Sequence, residues 1–90
     1  MFLIPRRAQL NEADALELIK RLESLTSERG AANAISRIQY ALTDGAGQTL
    51  TPTEAAAIHN AVAAWLADDL QLEPAARERL EKLRRATSTN

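Results

Sequence analysis

Thr51-Pro52-Thr53-Glu54 is the segment of this chain that permits the fewest local structures. A threonine hydroxyl at a helix N-cap accepts from a backbone N–H two or three residues on, and a glutamate three residues later reaches back to the cap's own N–H. Proline between them sits at the first helical position, where its missing N–H removes no hydrogen bond. A helix over 52–69 is therefore predicted, with Ala55, Ile58, Val62, Trp65 and Leu66 on one side. Asp68 and Asp69 mark its end, because carboxylates at a helix C-terminus oppose the macrodipole.

The flanking segments repeat the helical pattern. Asn11 is a good N-cap for a helix over 11–28, with Glu12 and Asp14 in its first turn. Leu16, Ile19, Leu22 and Leu25 recur along it, joined by Ala15 and Leu18, and Glu17 and Arg21 stand four apart on the wet side. Gly30 is the expected terminator. A second helix over 31–43 carries Ala31, Ala34, Ile35, Ile38, Ala41 and Leu42 on its apolar face, before Asp44-Gly45-Ala46-Gly47-Gln48 breaks it. A fourth helix over 74–86 opens at Glu73-Pro74, with Ala76, Leu80 and Leu83 as a narrow stripe among charges.

Composition extends these local signals to the whole chain. Eighteen alanines and thirteen leucines against one valine favour helix throughout and leave little that favours strand. The expected fold is all-α, a small four-helix domain over 11–86, preceded by an extended N-terminal arm over 1–10 and followed by a disordered tail over 87–90. Phe2, Leu3 and Ile4 favour an extended arm, which either packs Phe2 and Ile4 on the helices or pairs with a partner. The hydrophobic share of 46% is largely alanine, which buries little area per residue. Either the helices approach closely through alanine or a second subunit completes the core, so a homo-oligomer is expected.

Much chemistry is excluded at this level. No cysteine means no disulfide scaffold, thiol nucleophile or zinc finger, and one histidine leaves little for a metal site or a catalytic triad. Eleven Lys/Arg against twelve Asp/Glu give no global attraction to nucleic acid or anionic lipid. The loop over 44–48 supplies neither the carboxylates of a calcium loop nor the Gly-Lys-Ser/Thr of a phosphate loop. His59 falls at the edge of an apolar stripe and reads as a boundary residue. Asp68, Asp69 and Glu73 read as a solvated helix end. The apolar start Met1-Phe2-Leu3-Ile4 precedes Arg6 and Arg7 and is too short for a signal core, and no stretch approaches the ~20 apolar residues of a membrane span. A cytoplasmic protein with no cofactor and no enzymatic activity is expected.

Two surfaces remain. Arg77, Arg79, Lys82, Arg84 and Arg85 form the densest positive cluster, interleaved with Glu78 and Glu81. With Phe2, Ile4 and any uncovered face of Trp65, the candidates Arg77, Arg84 and Arg85 suit a protein–protein contact. The run Ala34-Ile35-Ser36-Arg37-Ile38, inside residues 30–39, is similar to recognition helices of phage-repressor-like helix-turn-helix proteins. It departs from them at Thr26, where a small residue is expected. That resemblance implies a DNA-binding regulator with Asn33, Ser36, Arg37 and Gln39 facing the groove. The leading expectation is a non-catalytic, self-associating interaction module, a small helical adaptor or regulatory protein. The DNA-binding regulator is the alternative.

Overall fold

The capping box forms as its residues require. In the computed structural model, which describes residues 2–4, 11–25, 29–45 and 47–87, the Thr51 hydroxyl accepts from Glu54 N at 3.2 Å and Glu54 Oε1 accepts from Thr51 N at 2.8 Å. The helix that starts there, Pro52–Asp68, is one of four. The element order is β1 (Phe2–Ile4), α1 (Glu12–Glu23), α2 (Ala31–Asp44), β2 (Gln48–Leu50), α3 (Pro52–Asp68) and α4 (Pro74–Ala86). The chain is a small all-α domain carrying one short ribbon, in which β1 and β2 pair antiparallel with Phe2 opposite Leu50 and Ile4 opposite Gln48.

Helix α3 is central and packs against α1, α2, α4 and β2. Beyond the predicted stripe it also buries Ala57 and Ala61, so its dry surface extends well round the helix. Alanine makes that possible, because a methyl group lets a neighbouring backbone come close. Seven of the seventeen buried apolar residues among those described are alanines: Ala15, Ala31, Ala34, Ala41, Ala55, Ala57 and Ala61. They join Leu18, Leu22, Ile38, Ile58, Val62, Trp65 and Leu80 in one cluster. Close helix packing through alanine, one of the two expected ways to make a core, is therefore present within a single copy of the chain.

Several boundaries differ from expectation. Helix α1 ends at Glu23, not residue 28, because Ser24 closes it: both the Ser24 N–H and hydroxyl donate to Arg21 O, at 3.2 and 2.7 Å. Residues 26–28 lie outside the described residues. Leu16, placed in the core stripe by its three-residue spacing, is exposed, and the buried set is Ala15, Leu18, Ile19 and Leu22. Strict steps of three drift around a helix of 3.6 residues per turn, whereas alternating steps of three and four hold one face. Gly30 has the left-handed backbone expected of a terminator (φ +85°), but it is the N-cap of α2. Gly45 (φ +79°) ends α2, its N–H bonded to Ala41 O at 3.1 Å.

The arm's backbone at Phe2–Ile4 is extended as expected, and it pairs within its own chain. The side chains of Phe2 and Ile4 and all of residues 5–10 lie outside the described residues. Thr87, assigned to the tail, instead caps α4 and is fully buried, its hydroxyl donating to Leu83 O at 2.9 Å. Residues 88–90 fall outside the description.

Candidate functional site

The basic cluster of α4 is dispersed by the fold. Arg79 turns to α1, where its Nε donates to Asp14 Oδ2 at 2.7 Å and its Nη2 to Asp14 Oδ1 at 3.4 Å. The hydrogen bond to that carboxylate raises the guanidinium's pKa above its ordinary value, so Arg79 stays charged at any physiological pH. Arg84 pairs with Glu81 at 2.7 Å, one turn back on the same helix. Arg77 donates to the carbonyl of Asp69 at 3.3 Å, holding the α3–α4 link. Lys82 and Arg85 are exposed. Of the three arginines expected to meet a partner, Arg77 and Arg84 thus bind their own chain and Arg85 faces outward.

Trp65 is not a surface residue: it is 5% exposed and belongs to the core. The Arg21 guanidinium covers it at 5.0 Å from the ring centroid, within the range of a cation–π contact. Glu17 Oε1 stands 3.3 Å from Arg21 Nε and steadies that lid. His59 is a half-buried boundary residue as expected, with its Nδ1 3.0 Å from Arg84 O. A carbonyl only accepts, so Nδ1 carries the proton and donates. The ring thereby ties α3 to the last turn of α4, beside Thr87, whose hydroxyl approaches the same carbonyl at 3.2 Å.

Helix α2 brings the other candidates together on one outward face. Asn33, Ser36 and Gln39 are exposed, and the Ser36 hydroxyl folds back to Ala32 O at 3.3 Å. Arg37 flanks them with its Nε 3.6 Å from Glu54 Oε2, so this cation is held by the capping box of α3. The link Ser24–Gly30 between α1 and α2 is longer than the roughly three to four residues of a helix-turn-helix turn. In that respect the geometry departs from the repressor pattern.

Sequence reasoning passed over the residue at the middle of this face. Tyr40 is 57% exposed. With Ser36, Gln39, Thr43 and Asp44 it lines a shallow hollow of about 330 Å³. The signal was an aromatic residue one turn beyond Ser36, on the side opposite Ile38. From Ala32 to Thr43 every fully exposed side chain of α2 is uncharged, and Asp44 follows at its end. The outward faces of α1 and α4 differ, presenting Glu12, Lys20 and Glu23 on one and Glu78, Arg79, Lys82 and Arg85 on the other. Leu16 and Leu70 are exposed singly, which is ordinary for a protein surface.

Among the described residues, no group of three or more His, Asp or Glu side chains is placed to hold a metal ion, and no helix is long and apolar enough to cross a membrane. The chain matches no known protein family, no curated protein and no solved structure.

Proposed function

We propose that this chain is a non-catalytic protein–protein interaction module whose docking surface is the outer face of α2. One observation carries the reading: an exposed tyrosine, Tyr40, stands on a helix face whose fully exposed side chains from Ala32 to Thr43 are uncharged, while the outer faces of α1 and α4 are charged. Depletion of charge around an aromatic residue distinguishes the centre of an interface from ordinary surface. Tyrosine is also among the residues that contribute most to binding. The arginines named at the sequence level, Arg77 and Arg84, serve as internal ties in this reading. His59, engaged with a main-chain carbonyl, has a structural role.

Hydroxyl-radical footprinting of the chain, free and in its host's extract at physiological salt, tests the proposal. The single tyrosine makes Tyr40 a clean reporter, and exposed Leu16 and Leu70 serve as comparators elsewhere on the surface. Protection of Tyr40 with Leu16 and Leu70 still labelled is the expected result. Protection at Leu16 or Leu70 with Tyr40 unchanged would reject the α2 face as the docking surface.

A further inference from the structure

Among the described helices, α2 alone lacks a compensating charge at both ends; α3 lacks one only at its C-terminus, where Asp68 stands, and α4 only in its first turn. Helix α1 has Glu12 and Asp14 in its first turn and Lys20 and Arg21 in its last, α3 starts at its capping box, and α4 ends with Arg84 and Arg85. Helix α2 has no acidic residue in its first turn, no basic residue in its last and a glycine N-cap without a side chain to accept a hydrogen bond. Its one carboxylate, Asp44, sits at the C-terminal end, where the macrodipole opposes a negative charge. An antiparallel neighbour of the same kind corrects both defects together, because it brings a carboxylate to each N-terminus and an N-terminus to each carboxylate.

Building on the reading of α2 as the docking surface, we infer that its occupant is a second copy of this chain, packed antiparallel across α2 about a two-fold axis. A two-fold interface sets one patch against itself, so that patch must be self-complementary. With the axis passing at the level of Ile38, Tyr40 of one copy rests over Ser36 of the other. Asp44 then lies beside Asn33 of the other copy on one flank of the helix pair, and Thr43 beside Ala32 on the other. The fully exposed side chains from Ala32 to Thr43 carry no charge, and the half-exposed Arg37 at the margin of the face is paired with Glu54 of its own chain. A contact built mainly on one helix of fourteen residues is small by the standards of permanent dimers, and the association is weak and concentration-dependent.

The chain has no cysteine, so introduced thiols report the geometry directly. Ala32 and Thr43 are both exposed and lie about three turns apart along the outer face of α2. Under mild oxidation, a mixture of Ala32→Cys and Thr43→Cys chains is expected to form the mixed disulfide, while neither variant alone cross-links with itself. In sedimentation equilibrium, Asp44→Lys is expected to weaken self-association by about tenfold. The same change raises the thermal midpoint of the dilute monomer, since lysine suits a helix C-terminus. A merely destabilised fold would lower both. Like-with-like disulfides, or a monomer at about 1 mM chain, would overturn the inference. Footprint protection of Tyr40 in the extract, with the purified chain monomeric, would overturn this occupant and leave the docking surface in place.

Discussion

Arg37 Nε lies 3.6 Å from Glu54 Oε2, so the carboxylate that completes the capping box of α3 also holds a cation on α2. Glu54 is 4% exposed, and its two oxygens serve two helices. These roles separate by substitution. Glu54→Gln retains a side chain able to close a capping box and loses the ion pair, at a cost under about 1 kcal/mol because Arg37 is half exposed. Glu54→Ala loses both and costs about 1–2 kcal/mol. Urea denaturation of the two variants measures the difference, and equal losses would place the main contribution in the charge.

Gly30 is required twice over. Its backbone is left-handed, and a Cβ there would stand 2.8 Å from Thr53 Cγ2 and 2.9 Å from Thr53 O. Gly30→Ala is expected to destabilise the fold by about 2 kcal/mol or more. Because one of the clashing atoms is a carbonyl oxygen, adding Thr53→Ala should leave most of that loss in place. Thermal unfolding of the single and double variants checks this, and full rescue by Thr53→Ala would show that the methyl group alone forbids a side chain.

The single tryptophan reports its own lid. Arg21→Ala uncovers one face of Trp65 and is expected to cost about 0.5–1 kcal/mol. The emission of Trp65 should shift to the red and become more open to acrylamide quenching. Arg21→Lys, which keeps a cation and an aliphatic stem, should lie between the two. Unchanged quenching in Arg21→Ala would mean that other side chains shield the ring.

Helix α4 buries one of its residues fully, Leu80, packs the partly buried Leu83 against the core, and is tied by His59 to α3 and by Asp14 to α1. Leu80→Ala is expected to cost about 2–5 kcal/mol, and α4 amides should exchange faster than those of α3 before global unfolding. His59→Ala removes the bond to Arg84 O and should cost about 1 kcal/mol, with faster exchange concentrated in the last turn of α4. A uniform change across all helices would show that α4 does not open separately.

What was legible from residues alone is what depends on near neighbours. The Thr51–Glu54 box, the buried rows of α2 and the proline start of α4 are set within a few positions, and all are present. Strand β2 leaves no local signal, because three residues are too few to show alternation and its pairing partner is β1, far away in sequence. The covering of Trp65 by Arg21 and the tie of Arg79 to Asp14 are likewise non-local, so Trp65 looked available and the arginines looked free. Tyr40 is illegible for another reason. A lone tyrosine in a helical stretch carries no local signal of whether its ring is buried or exposed, and only the packed structure shows it facing outward.

The pairing of Phe2 with Leu50 has a kinetic consequence. Helices α1 and α2 both lie between the two strands, so the ribbon closes a loop that contains half the domain's helices. Closing a long loop early loses chain entropy that three residue pairs cannot offset, whereas closing it after α1 and α2 have docked joins ends already brought near. The ribbon is thus a late clasp in folding. Substitutions within it should alter the unfolding rate and leave the folding rate nearly unchanged.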